Sequence, residues 1–327
     1  MAKRFRPAWW LPGPHTMTMW GKFCRTRARL TVQTERWETP DGDDLTMVRT
    51  EGDDASPIVL LLHGLEGSIR SHYVGAILAE SVRRGWTGIL LHFRTCDGRL
   101  NRARRTYHSG ETSDLDFVVH RLLAAYPARP IGLAGISLGA NVMLKWLGEH
   151  PERVDPRIAA AVAVSTPFDL TRSSERINSG FSRLYQWNFV RKLRRKALAK
   201  LRDYPDIAAA DPIAAATTIR QFDDRFTAPL HGFRDAADYY ERSSSLRLLH
   251  RIRTRTLLLS ARDDPFHPAE VLDEVMTIAA MNPCLELEFH ERGGHVGFVE
   301  GPPWRPRYYL EWRVLDFLSR ALQSPTA

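Results

Sequence analysis

Apolar positions change their rhythm several times along the chain. Arg29–Trp37 and Leu45–Thr50 are strand-like runs joined by Pro40-Asp41-Gly42-Asp43, and an Asp-Gly pair between such runs predicts a hairpin. Ile58-Val59-Leu60-Leu61-Leu62 is apolar without alternation, which predicts a strand covered on both faces. His72–Arg84 has helical spacing, and Gly88–Phe93 is again a strand. Asp114–Ala125 sets Leu115, Val118, Val119, Leu122 and Leu123 on one side of a helix. A strand at Ile131–Ala134, a helical run at Asn141–Leu147 and a strand at Ile158–Val164 follow. Strands alternating with helices predict βαβ units, hence an α/β fold with a mostly parallel sheet flanked by helices.

From Pro167 to about Arg253 no clear strand appears, which predicts a helical insertion over residues 167–253 that acts as a lid. Within it, Ser182–Tyr204 repeats Trp187, Val190, Leu193, Ala197, Leu201 and Tyr204 at helical spacing. Basic residues fill the other positions, and no acid interrupts Arg176 to Arg202. This predicts a surface helix with a solvated basic face. A basic amphipathic helix 182–204 also suits peripheral contact with an anionic membrane surface. The sheet resumes at Thr256–Leu259, followed by a helix near Pro268–Ala280, the strand Leu285–His290 and a last helix at Tyr308–Leu322. Residues 1–26, with Trp9, Trp10 and Trp20 among prolines, are expected as an extended arm packed over the body. The chain thus divides into an arm (1–26), an α/β core (27–166 and 254–327) and a lid (167–253).

Candidate chemistry lies just past the strand ends. Gly135-Ile136-Ser137-Leu138-Gly139 joins a strand to a helix, the arrangement of a nucleophile elbow, and Ser137 is the candidate nucleophile. A serine needs a histidine base and a carboxylate to orient it, in the chain order Ser, acid, His. After the first strand beyond the insertion stand Asp263 and Asp264. Asp264 is preferred because acids in such a fold usually stand three residues beyond the small residue that ends the strand, here Ala261; Asp263 is the alternative. After the last strand, His295 sits among Gly293, Gly294 and Gly297, which let a loop carry it back over the sheet. His267 and His290 are expected to be structural or exposed. Two backbone N–H groups are candidates for an oxyanion hole: Leu138, next to the nucleophile, and Leu65 in His63-Gly64-Leu65-Glu66-Gly67-Ser68. His63 is expected to shape that loop.

Composition narrows the partners. Hydrophobic residues make up 43% and charged residues 26% of the 327 residues, which argues against wholesale disorder. The net charge of +8 reads as a spread of solvated arginines. Arg102, Arg104 and Arg105 form a small basic cluster with no zinc-finger spacing or aromatic RNA-binding pattern, so no nucleic acid is expected. Cys24, Cys96 and Cys284 are scattered and odd in number, against a disulfide framework or a metal site. With no P-loop and no dinucleotide-binding glycine motif, no cofactor is expected. No apolar run reaches the length of a membrane span, and the N-terminus is broken by proline. The expected location is the cytoplasm, with possible contact at a membrane periphery.

With these residues placed, the chain resembles the α/β-hydrolases of the YheT-like branch, which includes ABHD-type short- and medium-chain carboxylesterases. The resemblance rests on Pro7-Ala8-Trp9-Trp10-Leu11, His63–Ser68, Asn101-Arg102 and Tyr107–Thr112. It continues in Gly135–Asn141, Phe222-Asp223-Asp224, Ala228–Phe233, Tyr239-Tyr240 and Asp263–Phe266. One departure is Met17 in His15-Thr16-Met17-Thr18, where relatives tend to have glutamine. The resemblance implies a Ser137–Asp264–His295 triad, an acyl-enzyme, and hydrolysis of small carboxylic esters with an apolar acyl chain. It also implies, in some relatives, acyl transfer to alcohols. A membrane-associated binding protein without turnover is the competing reading from another class.

Overall fold

The computed structural model describes residues 4–53 and 55–322; the ends of the expected arm and core, residues 1–3 and 323–327, lie outside this range, as does residue 54. Eight strands form one sheet. They are β1 (Val32–Glu38), β2 (Asp44–Thr50), β3 (Ile58–Leu62), β4 (Thr87–Leu91), β5 (Ile131–Ile136), β6 (Ile158–Val164), β7 (Thr256–Ala261) and β8 (Leu285–His290). Their order is β1-β2-β4-β3-β5-β6-β7-β8. β1 and β2 form the predicted antiparallel hairpin, with Gly42 at φ 75°, a left-handed position that a residue without Cβ adopts freely. β2 also pairs antiparallel with β4, and every later pair is parallel.

The arm is not simply extended. Gly13 and Pro14 start a helix, α1 (Pro14–Cys24), because proline at the first helical position loses no needed N–H and Thr16 Oγ1 accepts from the Gly13 N–H at 3.3 Å. Before it, Pro7 bridges to Glu300, and Trp10 donates to the Gly301 carbonyl at 2.8 Å. Next come α2 (His72–Arg83), α3 (Ser113–Ala125) and α4 (Leu138–Glu149). Between β6 and β7 the described chain has only helices and turns: α5 (Leu170–Ile177), α6 (Ser182–Asp203), α7 (Ala210–Ala214), α8 (Ile219–Phe222), α9 (Ala228–His231) and α10 (Ala236–Ser243). This segment has its own small core of Ala197, Leu201, Ile207, Ile213, Phe222 and Phe226. Last come α11 (Glu270–Ala280) and α12 (Tyr309–Leu322).

The central strands are apolar without alternation because both faces are covered. Leu60 and Leu62 pack with side chains of α3, α4 and α11 on one face. Val59 and Leu61 pack with α2 and α12 on the other. All turns at the carboxyl ends of the parallel strands therefore meet on one edge, where open α/β sheets present their sites.

α6 corrects two expectations. Trp187 is 58% exposed and faces outward, although its spacing puts it with the apolar stripe. The basic face is not all solvated: Lys196 Nζ donates to Glu66 Oε1 at 2.7 Å, and buried Lys200 donates to the Asn101 carbonyl at 2.6 Å. Packing against the loops after β3 and β4 draws these long side chains inward, and acceptors there satisfy the ammonium groups.

Candidate active site

Ser137 sits between β5 and α4 with φ 54° and ψ −121°, a strained conformation for a residue with a Cβ. Two close approaches enforce it. A Cβ on Gly135 would lie 2.6 Å from Ala140 Cα, and one on Gly139 would lie 2.5 Å from the His63 carbonyl oxygen. The turn thus forms only where glycine allows strand, helix and the neighbouring loop to touch. Other non-glycine residues at positive φ are Glu66, Thr95, Ser165, Val296 and Phe298. Each lies in or beside a loop following a strand, so backbone strain is concentrated at this edge.

The structure brings Ser137, His295 and Asp264 into one chain of hydrogen bonds. His295 Nε2 lies 3.0 Å from Ser137 Oγ, and His295 Nδ1 lies 2.8 Å from Asp264 Oδ2. Burial works to raise the Asp264 carboxyl, yet the neighbouring His267 and His295 hold it well below the usual carboxylate range. An ionised Asp264 accepts from His295 Nδ1–H, which turns Nε2 toward Ser137 Oγ. Asp264 Oδ1 also accepts from the Phe266 N–H at 2.8 Å, and the Phe266 ring stacks on His295 with centroids 4.1 Å apart.

Asp263 does something else. Its Oδ1 accepts from the N–H groups of Gly293 at 2.9 Å and Gly294 at 2.8 Å, tying down the loop that carries His295. The N-terminal helix holds the same loop, since the His295 N–H donates to Thr18 Oγ1 at 2.9 Å. A Cβ on Gly294 would lie 2.7 Å from both Thr18 Oγ1 and the Pro14 carbonyl oxygen, which shows how closely α1 covers it. Thr18 is not legible from the sequence, where a lone threonine beside Met17 gives no signal.

His63 is fully buried. Its Nε2 accepts from the Phe93 N–H at 3.2 Å, so Nδ1 donates to the Gly64 carbonyl at 2.8 Å. Burial pushes this imidazole down to about 3, so it stays neutral and shapes the loop as expected. The N–H groups on either side of Leu65 are taken: Gly64 donates to Tyr73 Oη at 2.9 Å, and Glu66 to Tyr107 Oη at 3.1 Å. Those of Leu65 and Leu138 donate to no described residue, and both residues line the same cavity as Ser137. Tyr107 belongs to the stretch that carries the resemblance, but its hold on a loop 41 residues earlier in the chain is a tertiary fact.

The other histidines separate. His290 pairs with Glu288 at 2.9 Å on β8. His267 is buried beside the site, with Nε2 3.0 Å from Asp264 Oδ2, an arrangement its isolated place in the sequence does not suggest. Among the described residues, Asp264, His267 and His295 are also the three-residue cluster whose donor atoms are close enough to grip a metal ion. Of the three, His295 Nδ1 and Asp264 Oδ2 make a hydrogen bond, while His267 Nε2 approaches the same oxygen without hydrogen-bond geometry. Asn141, at the start of α4, donates to the Ser109 and Ser243 carbonyls at 2.8 Å each, joining the elbow helix to the loop after β4 and to the end of the helical insertion.

Above Ser137 lies a cavity of about 720 Å³. Leu184, Phe189, Leu193, Phe222 and Phe226 from the insertion provide much of its apolar wall. Tyr239 and Tyr240 line it and also pack, Tyr239 Oη accepting from the Ser109 N–H and Tyr240 donating to Asp223. At the mouth, Phe23, Leu184 and Trp187 are 67%, 51% and 58% exposed.

A family model described as the alpha/beta hydrolase fold matches residues 57–302. The YheT protein of Escherichia coli is 36% identical over 95% of this chain and 91% of its own length. A monoacylglycerol lipase of Saccharomyces cerevisiae is 33% identical over 80% of this chain and 59% of its own. The phospholipase ABHD3 of Mus musculus is 28% identical over 99% of this chain and 80% of its own. Among solved structures, the Pyrococcus furiosus esterase Pf2001 superposes with a TM-score of 0.60 at 20% identity, over 91% of this chain and 98% of that one.

Proposed function

This chain belongs to the alpha/beta hydrolase fold family, in its YheT and ABHD branch, and from that premise we propose a serine esterase working through Ser137, His295 and Asp264. The observation that carries the reading is the hydrogen-bond chain of 3.0 Å and 2.8 Å from Ser137 through His295 to Asp264 beneath an apolar cavity. Ser137 Oγ attacks the ester carbonyl carbon while His295 Nε2 takes its proton. Charge moves to the carbonyl oxygen, which receives the N–H groups of Leu65 and Leu138; the latter opens α4, whose dipole also favours negative charge. His295 returns the proton to the departing alcohol. Water, deprotonated by the same imidazole, then releases the acid from the acyl-enzyme.

In this reading residues 167–253 act as the lid, 27–166 and 254–327 as the core and 1–26 as the arm. We expect acyl chains of short to medium length in this cavity of about 720 Å³. An alcohol entering in place of water makes the same acyl-enzyme a donor for transfer. The test is fluorophosphonate labelling beside a panel of esters of increasing acyl length. Ser137 is expected to carry the adduct, and Ser137→Ala to lose both adduct and turnover; labelling or turnover that survives the substitution sinks the proposal.

A second reading concerns the mouth. Exposed Phe23, Leu184 and Trp187, beside the cations Arg183 and Arg191, suit shallow docking on an anionic membrane surface. No helix among the described residues is long and apolar enough to cross a membrane. Sedimentation with anionic vesicles at low salt should pellet the protein, and Trp187→Ala should weaken this; a protein left wholly in the supernatant refutes it.

A further inference from the structure

We propose that the cavity binds an anionic amphiphile, with Lys192 and Lys22 receiving a phosphate or carboxylate group while the apolar wall takes the acyl chain. As a statement about the ester substrate this rests on the esterase reading above; as a statement about binding it stands alone.

The argument starts from unbalanced charge. Seven lysine and arginine side chains line the cavity against two acids, Glu66 and Asp223. Neither acid is free to neutralise a second cation. Glu66 Oε1 already accepts from Lys196 at 2.7 Å and from Tyr107 at 2.9 Å. Burial raises the Asp223 carboxyl to about 7, and Thr227 and Tyr240 donate to its two oxygens at 2.7 Å each. Three of the cations are engaged: Arg25 with Glu311 at 2.5 Å, Lys196 with Glu66, and Lys200 with Asn101.

Lys192 differs from these. It lines the cavity half-buried and has no hydrogen-bond or ion-pair partner among the described residues. Its pKa is lowered, with burial as the first cause; Glu66 pulls the other way, and the ammonium groups of Lys22 and Lys196 add to the lowering. Lys22, on α1, has the Phe23 ring 5.1 Å away and no hydrogen-bond or ion-pair partner among the described residues. Two ammonium groups from different elements, half-buried Lys192 on α6 and exposed Lys22 on α1, line one cavity, and the nearest acid, Glu66, is already held by Lys196 and Tyr107; together they form an anion seat.

The seat is also close to the chemistry. His72 lines the cavity and is pushed down to about 4, first by burial, then by Arg25 and Lys22, with His295 adding to the effect. Geometry agrees: a Cβ on Gly21, next to Lys22, would lie 2.6 Å from the His72 ring, and Thr18, about one helical turn before Lys22 on α1, accepts from the His295 N–H at 2.9 Å. One amphiphile can span the two, its anion at Lys22 and Lys192 and its carbonyl over Ser137, with Leu193, Phe222 and Phe226 receiving the chain.

Binding is measured by calorimetry on the full chain carrying Ser137→Ala, so that no ester chemistry enters, with decyl phosphate, decanoate and decanol below their micellar concentrations. Decyl phosphate or decanoate should bind at least about tenfold tighter than decanol, and the comparison of the two acids says which anion fits. Adding Lys192→Gln or Lys22→Gln should cost about tenfold for the anion, with decanol affinity retained as the measure of an intact cavity. Equal affinity for decanol and both anions overturns the inference. So does an anion affinity indifferent to both substitutions, or an effect of Lys192→Gln on vesicle pelleting alone. Failure of the esterase reading is separate, since it appears as an unlabelled Ser137 in the wild-type chain whatever the binding result.

Discussion

Asp264 Oδ2 lies 2.8 Å from His295 Nδ1 and 3.0 Å from His267 Nε2, so one buried carboxylate oxygen serves two imidazoles. The adjacent Asp263 serves two backbone N–H groups of the His295 loop. Their substitutions should therefore fail in different ways. Asp264→Asn keeps the shape but no longer orients His295 as a charge partner, and kcat should fall by roughly 10⁴, the scale known for amidating a triad aspartate in serine proteases. Asp263→Asn keeps an oxygen but loses the charge on two hydrogen bonds. It should cost about 1–3 kcal/mol of stability, read from a urea titration, with a much smaller fall in kcat. The reverse pattern exchanges the two roles. From sequence, Asp264 is preferred and Asp263 kept only by its proximity. What separates them is the direction each side chain takes after β7, and spacing does not carry that.

At the scale of elements, the strand β5, the Ser137 turn and α4 form a unit that tolerates no side chain at Gly139. A Cβ there would lie 2.5 Å from the His63 oxygen and 2.6 Å from the Leu62 oxygen, both backbone atoms at the end of β3. Gly139→Ala must push that strand end, and with it the loop carrying Leu65. The expected outcome is a loss of about 1–3 kcal/mol from overpacking. A fall in kcat of roughly 10²–10³ accompanies it if the Leu65 N–H moves out of place. Gly75, inside α2, is the control: a Cβ there meets nothing within 4 Å, and Gly75→Ala should add about 0.5–1 kcal/mol. Thermal melts and kinetics on the two variants decide this; equal effects would remove the close-approach argument. The elements themselves are legible because β3 and β5 are apolar throughout, β4 is apolar after Thr87, and G-x-S-x-G marks the turn between β5 and α4. α1 is not, since its signal is a single Gly-Pro start in a proline-rich arm. The inward cations of α6 are not either, because Lys196 and Lys200 read as solvated until Glu66 and Asn101, about 100 or more residues earlier, are brought against them.

For the whole molecule, buried histidines set the response to acid. Burial pushes His63 down to about 3 and His72 to about 4, and it lowers His108 and His231, whose rings lie 4.4 Å apart. In the unfolded chain all four take protons near their ordinary value of 6.5. Between that value and the depressed folded ones the unfolded chain binds more protons, so stability must fall as pH drops through this window. Asp223 acts with the opposite sign. Its folded carboxyl keeps a proton up to about pH 7 while the unfolded one releases it near 3.8, so its contribution falls as pH rises over the same range. Burial also lowers His15 and His92 on the one side and raises Asp114, Asp263 and Glu311 on the other, and each tenfold difference in proton affinity between the folded and unfolded chain is worth about 1.4 kcal/mol before the discounts of a relaxing structure. The large downward shifts of His63, His72, His108 and His231, against the one large upward shift at Asp223, make the expected net slope a loss on acidification between about pH 6.5 and 4. Asp264 is held charged well below that range, so acid should reach the fold before it reaches this carboxylate. The measurement is a set of urea titrations by circular dichroism at half-unit steps from pH 7.5 to 4.5. The midpoint should fall steadily below about pH 6.5, and His63→Gln, though less stable at pH 7, should give a shallower slope. A midpoint flat from pH 7 to 5 in the wild-type chain would mean that these histidines are not held neutral by the fold.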